Sequence, residues 1–434
     1  MDFFATAFLL VALFGLLGMG LWIGLSLTAV AWLGMELFTT RPVGQLMVNK
    51  IWESGSSWTL TALPLFIWMG EILFRSKLSE DMFRGLSPWM ALLPGRLLHT
   101  NIIGCTIFAA ISGSSAATCA TIGKITIPEL RGRGYPEFMT VGTLAGAGTL
   151  GLLIPPSIIM IVYGVTAEVS IGQLFIGGVV PGILLAGLFS GYVMVWAVLN
   201  PSRVPAENIR MRLLDKIRAG RHLLPAVGLI LCVLGSIYAG IATATESAAF
   251  GALGALILSW LQGSLNRASF VDALMGATRL SCMIALILAG ASFLTLSMGF
   301  TGLPRHIAEW IGGLGLSPWM LIAALMVFYI ILGCFLDGIS MVVLTMAVFL
   351  PTVEKAGLDL IWFGIFIVLV TEMAQITPPV GFNLFVLQGM TGHQITFIAR
   401  AAVPLFLLMV VAVALITLFP ELVTFLPQQM IVRR

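Results

Sequence analysis

The sequence predicts an all-α polytopic membrane protein, built as an inverted repeat with two re-entrant helical hairpins and two unwound helices. Three observations carry this prediction. Of 434 residues, 59% are hydrophobic and 9% charged, where a soluble domain carries roughly 25% charged residues. The chain also repeats itself. Ile154-Pro155-Pro156-Ser157 returns as Thr377-Pro378-Pro379-Val380, 223 positions on, and Pro128 and Gly134 return as Pro351 and Gly357 at that offset. Finally, several apolar runs exceed the ~20 residues of one crossing but fall short of two, and the interruptions sit inside those runs.

The elements follow in order. The run 3–38 begins apolar just after Asp2, lacks a basic leader and is too long for a signal peptide. It is expected to stay in the membrane as one or more segments. Further apolar runs are 58–74, 86–123, 138–165 and 173–199. Within them a hairpin is expected over about 101–133, turning at Ser112-Gly113-Ser114-Ser115, and an unwound helix over about 138–165, broken at the first Pro-Pro. These complete a first repeat, 1–200, with its scaffold helices. The linker 201–221 carries Arg203, Arg210, Arg212, Lys216, Arg218 and Arg221 against Glu207 and Asp215, which places it on the cytoplasmic side. The second repeat, 222–434, has apolar runs 223–241, 244–262, 274–299, 318–350, 360–390 and 397–427. Its hairpin is expected over about 318–355, broken at Asp337-Gly338-Ile339-Ser340, and its unwound helix over about 360–390. Leu86-Ser87-Pro88-Trp89-Met90 recurs letter for letter as Leu316-Ser317-Pro318-Trp319-Met320.

Composition excludes several classes. Continuous apolar runs without in-out alternation exclude a β-barrel. The few basic residues form no aromatic-interleaved stripe, which excludes nucleic acid as a partner. The five cysteines (Cys105, Cys119, Cys232, Cys282 and Cys334) stand singly in apolar sequence, as small packing residues do. There is no H-E-x-x-H, no G-x-S-x-G and no Walker A, and the histidines His99, His222, His306 and His393 are isolated. No enzyme motif is visible.

Paired interruptions in matching places of two halves point to the midplane site of a secondary transporter. At Ser112-Gly113-Ser114-Ser115, small residues allow close backbone approach, and half-helix ends expose unpaired carbonyls and N–H groups. A small-residue packing face would look the same locally; the matching break at 337–340 favours a site. Proline removes a donor and disrupts the helix ahead of it. Carbonyls around Gly151, Ile154 and Pro156, and around Ala374, Thr377 and Pro379, are thereby freed for a cation such as Na+. Asp337 is the sharpest single residue, since a carboxylate at the bilayer centre costs ~2.5–3.5 kcal/mol. Glu246 fits a helix start, and Glu71 sits four residues before Arg75, a structural pattern. Glu372 stays ambiguous. Lys124, Arg279, Arg305 and Arg400 lie near segment ends, where their stems can snorkel. An anionic solute could instead be held by helix N-termini and by Thr118, Thr121, Ser157, Thr345 and Asn383.

Four stretches carry a family resemblance. Gly113-Ser114-Ser115-Ala116-Ala117-Thr118, Ile122-Gly123-Lys124-Ile125-Thr126-Ile127-Pro128-Glu129, Leu152-Leu153-Ile154-Pro155-Pro156-Ser157 and Ile376-Thr377-Pro378-Pro379-Val380-Gly381-Phe382-Asn383-Leu384-Phe385-Val386 resemble, in order, the large membrane subunit of tripartite ATP-independent periplasmic (TRAP) transporters. The resemblance implies a Na+-driven importer of small organic acids in a bacterial inner membrane. It implies an elevator, in which a domain holding both hairpins slides past a scaffold domain. It implies two partners, a small four-helix membrane subunit and a periplasmic substrate-binding protein, with the small subunit expected as a separate chain. Carried over by motif, one Na+ site would use Ser112, Ser115, Gly151, Ile154 and Pro156. The other would use Gly338, Ser340, Ala374, Thr377 and Pro379, with Asp337 close by; there Ala374-Gln375 does not repeat the glycine of the first. Two other readings remain at this stage: a stand-alone dicarboxylate or ion transporter of related architecture, and an intramembrane enzyme, for which Asp337 has no acidic partner in its own segment.

Overall fold

The computed structural model describes residues 2–205, 213–302, 309, 313, 315, 317–379 and 381–430. Glu207, Arg210 and Arg212 of the linker, with Arg305, His306, Leu316 and Val380, lie outside the described residues. Among the described residues every regular element is helical. The first half comprises α1 (Asp2–Gly18), α2 (Ile23–Phe38), α3 (Val43–Gly55), α4 (Ala62–Phe74), α5 (Leu78–Met90), α6 (Leu98–Ser112), α7 (Ser115–Gly132), α8 (Glu137–Gly148), α9 (Leu150–Leu153), α10 (Ile158–Thr166) and α11 (Ile171–Leu199). The second comprises α12 (Leu213–Gly220), α13 (Leu224–Tyr238), α14 (Ala244–Leu261), α15 (Arg267–Thr301), α16 (Pro318–Gly333), α17 (Gly338–Lys355), α18 (Leu360–Gln375), α19 (Phe382–Thr391), α20 (Ile395–Leu418) and α21 (Glu421–Gln428).

Five helical stretches, among them α11, α14, α15 and α20, are long and apolar enough to cross a membrane, and three bent pairs reach that length only together. The protein is therefore a multi-pass membrane protein. The run 3–38 divides into α1 and α2 at Gly20, whose φ of +79° suits glycine. Helix α15 lies against α2 so closely that a Cβ on Gly24 would sit 2.8 Å from the Leu286 carbonyl oxygen, and one on Gly290 2.5 Å from the Gly24 oxygen. Such close approach is what small residues permit in lipid, where apolar side chains gain nothing by avoiding the solvent. Helix starts are chemically defined. Thr243 and Glu246 form a capping box for α14, as do Asn266 and Ser269 for α15, so Glu246 has the structural role its position suggests. Glu71 pairs with Arg75.

Helix α11 has 29 residues, about 43 Å at 1.5 Å per residue, so its ends mark the two faces of the molecule. The basic linker follows one end. There Arg96 Nη1 donates to the Pro205 carbonyl at 2.6 Å, and the Leu97 N–H donates to the Tyr135 hydroxyl at 3.3 Å, closing the base of the pair α6–α7. The pair α16–α17 is based at the other end. Its successor α18 begins where the Tyr163 hydroxyl, eight residues before α11 starts, donates to the Leu360 carbonyl at 2.7 Å. The two hairpins thus enter the molecule from opposite ends.

The literal repeat of five letters does not occupy equivalent places. Ser87 and Pro88 lie inside α5, near its end, whereas Ser317 caps α16 and Pro318 is its first residue. In the first half seven further residues, 91–97, turn before the hairpin helix begins. Identity of sequence here reflects a shared helix-start chemistry, used once and passed over once.

Candidate site between two hairpin tips and two broken helices

Four helix breaks converge from the two halves. In the first hairpin, α6 ends at Ser112 and Gly113 takes φ +59°, a conformation open to glycine at no steric cost. Ser114 then caps α7 by accepting the Ala117 N–H. The broken helix α9–α10 stops at Ile154-Pro155-Pro156 and restarts with Ser157, which accepts the Met160 N–H. The Pro155-Pro156 and Pro378-Pro379 bonds are both cis.

The first tip rests directly on the first break. A Cβ on Gly113 would lie 2.9 Å from the Pro156 carbonyl oxygen, and one on Gly151 2.6 Å from the Ser114 oxygen and 2.7 Å from the Ser115 Cα. Ser112, Ser115, Gly151 and Pro156 are therefore brought together, and Ile154 lies beside them against Gly182. The Ser112 hydroxyl donates to the Ser114 carbonyl at 3.3 Å and pairs with the Thr118 hydroxyl at 2.6 Å.

The second tip uses a carboxylate for the same task. Asp337 caps α17, accepting the Ile339 and Ser340 N–H groups at 3.2 and 3.3 Å and the Ser340 hydroxyl as well. Gly338 lies where a Cβ would meet Thr371 at 2.5 Å and Ile159 at 2.6 Å, the latter from the other half. The Cys334 thiol donates to the Pro378 carbonyl at 3.3 Å, and Gly333 abuts Ala374. Thr377 spends its hydroxyl on the Met373 carbonyl at 2.7 Å. Asp337, Gly338, Ser340, Ala374 and Thr377 so belong to one region. The two breaks differ in surroundings: Pro155 and Pro156 are buried, while Pro378 and Pro379 are exposed.

Of the remaining polar candidates, Thr118 and Asn383 lie in one buried region. Asn383 has no partner on either side-chain atom, and its Nδ2 would be 3.3 Å from a Cβ on Gly148, beside Cys119. The buried Thr121 hydroxyl is also without a partner. Ser157 is spent on its cap. Thr345 is not brought to these residues: its hydroxyl pairs with Tyr329 at 2.7 Å within the second hairpin.

Glu372, left open by the sequence, proves central. It is fully buried on α18, and its Oε1 accepts the Ser115 hydroxyl and the Leu152 N–H, the latter at 3.0 Å. One carboxylate of the second half thus holds both the tip and the broken helix of the first. The signal for it was present: no Lys or Arg occurs anywhere in 360–390.

A separate cavity of about 1140 Å³ opens at the far end of α10, lined by Lys50, Thr166, Glu168, Thr243 and Glu246 among others. None of the candidate site residues lines it. It faces away from the basic linker. Among the described residues no three His, Cys, Asp or Glu gather as a metal cluster, so the site's donors are carbonyls, hydroxyls and single carboxylates, a hard-cation set.

Residues 10–422 match the family model described as tripartite ATP-independent periplasmic transporter, DctM component. The chain belongs to the TRAP transporter large-permease family. It is 33% identical over 392 residues, 90% of its length and 91% of the relative's, to the C4-dicarboxylate TRAP transporter large permease protein DctM of Pseudomonas aeruginosa. It is 31% identical over 428 residues, 97% of this chain and 98% of the relative, to the ectoine/5-hydroxyectoine TRAP transporter large permease protein UehC of Ruegeria pomeroyi. Among solved structures it shares its fold with the Alcanivorax borkumensis YdaH transporter: TM-score 0.62, 13% identity, 91% of this chain and 96% of that one. This TRAP large permease is a secondary-transporter component and not an enzyme.

Proposed function

We propose that this TRAP permease is the transport subunit of a Na+-driven importer of small organic acids in a bacterial inner membrane. One observation carries the reading: two hairpins entering from opposite ends lay their tips on two helix breaks, the first of them buried within the fold. Irregular backbone at such depth is tolerated where it lines a site. Na+ fits the donors present, with one ion at Ser112, Ser115, Gly151, Ile154 and Pro156. The second would lie at Gly338, Ser340, Ala374, Thr377 and Pro379, beside Asp337. Bound Na+ offsets the negative helix C-termini and the carboxylates, so that a loaded site can cross where an empty charged one cannot. Each inward Na+ contributes ~2.3 kcal/mol per 100 mV.

The organic acid would lie near Thr118, Thr121, Ser157 and Asn383, where the unpartnered Asn383 amide offers both donor and acceptor. Thr345 joins this set only if the second hairpin releases it from Tyr329. The hairpin helices and broken helices would move as one body past α1–α4 and α13–α15, gripped by a separate four-helix subunit. A periplasmic binding protein would deliver the solute at the face opposite the basic linker.

The test is uptake in cells expressing the three-component system, with succinate, other carboxylates and ectoine as probes, in NaCl against choline chloride. Uptake should require Na+, and Asp337→Ala should abolish it while the protein level in the membrane stays unchanged. Uptake that persists in choline sinks the coupling; failure to take up any of these carboxylates sinks the organic-acid assignment.

A further inference from the structure

Resting on the Na+ reading of the first tip, we propose that Glu372 is a ligand of that ion, so that the first cation site is completed by a side chain from the second repeat. The carboxylate is 0% exposed. Only one of its oxygens is engaged: Oε1 takes the Ser115 hydroxyl and the Leu152 N–H, while Oε2 is buried with no partner. Two neutral donors do not balance a full negative charge in a dry interior, and an uncompensated buried carboxylate is costly. Among the described residues Glu372 has no ion-pair partner. The groups beside it are those already gathered at the tip. Ser115 touches it, and Gly151 immediately precedes its Leu152 contact and packs on Ser114 and Ser115. A monovalent cation held by carbonyls of the tip and the break takes its countercharge from Oε2.

The placement has a mechanical meaning. Ser115 and Glu372 are 257 positions apart, on a hairpin of one repeat and a broken helix of the other. Glu372 is one turn before Gln375 and Ile376, where α18 ends and the second break begins. Its helix also carries Thr371, which packs on Gly338 of the second tip. An ion at the first tip therefore pulls on the helix that supports the second. Occupancy of one site is passed to the other through α18.

The experiment is equilibrium binding of 22Na+ to the purified full-length chain in detergent, paired with melting temperature in NaCl against choline chloride. Glu372→Gln keeps shape and hydrogen-bond capacity and removes the charge. The variant is expected to bind one Na+ fewer per chain, or to need about tenfold more Na+ for that ion, with a smaller Na+-specific rise in melting temperature. Glu372→Asp, which retains the charge and shortens its reach, is expected to weaken the same ion by a smaller factor, and it carries the test where Glu372→Gln does not fold. Unchanged Na+ stoichiometry and affinity in whichever of the two variants folds overturns the assignment of Glu372 alone. A wild-type chain that binds no Na+ overturns the Na+ reading itself, and the two failures are told apart by the wild-type measurement.

Discussion

Gly151 and Gly187 both lie in buried-looking apolar sequence, yet their tolerances are opposite. A methyl on Gly151 meets backbone atoms of Ser114 and Ser115 that cannot move independently of the tip, whereas one on Gly187 in α11 meets nothing within 4 Å. Gly151→Ala is expected to cost about 1–3 kcal/mol by overpacking and to impair uptake. Gly187→Ala should be neutral or stabilise by up to ~1 kcal/mol. Thermal melts of the two variants check the pair, and equal melting temperatures would refute the close contact at the tip. Asp337 can be dissected the same way. Asp337→Asn keeps the α17 cap and loses the charge, while Asp337→Ala loses both. The Ala variant should be less stable than the Asn variant by ~0.5–2 kcal/mol, and both should lose uptake if the charge is what matters. Residues of this kind were partly legible. Asp337, the Pro-Pro pairs and the Gly-Ser tip announce themselves by being out of place in apolar sequence. Glu372 stayed ambiguous because its partners, Ser115 and Leu152, are more than 200 positions away, and no local spacing reports them.

At the level of helices, interruptions were readable and packing was not. Proline and small residues mark where a helix must stop: α6 ends at Ser112, α9 at Leu153 and α18 at Gln375, and α17 begins at Gly338, each beside one of the interruptions. Boundaries outside the breaks moved: the run 86–123 is divided among α5, a turn at 91–97, α6 and α7. Nothing in hydropathy separates a helix that lies across the base of a hairpin from one inside it. The contact between α4 and the first tip was equally silent. A Cβ on Gly70 would approach the Ile111 and Ser112 carbonyl oxygens to 3.2 Å, so glycine keeps this surface smooth. Gly70→Leu should therefore arrest uptake, yet leave the Na+-dependent rise in melting temperature in place. Loss of that rise would mean the tip itself had been deformed and that α4 is part of the binding structure.

For the molecule as a whole, the faces can be assigned by labelling. Ser202 lies in the linker and Ile241 at the opposite end, and both are exposed. Cys232 and Cys282 are the exposed native thiols, so serine replaces them in the background used. In spheroplasts, a membrane-impermeant maleimide should label Ile241→Cys and spare Ser202→Cys. Labelling of both from outside would defeat the assignment of the basic linker to the cytoplasm. The matched interruptions were legible because they are written in prolines and glycines, whose backbone demands follow from residue type alone. The inequality of the two halves was not legible, because it is a property of conformation. One proline pair is enclosed and its counterpart lies open, with Phe335 near the second tip 70% exposed. Near-copies held in unlike settings would, in the proposed transport movement, give the chain a second shape without a second sequence. Under the proposed transport cycle, threading each half along the other's backbone would draw the opposite end of that cycle.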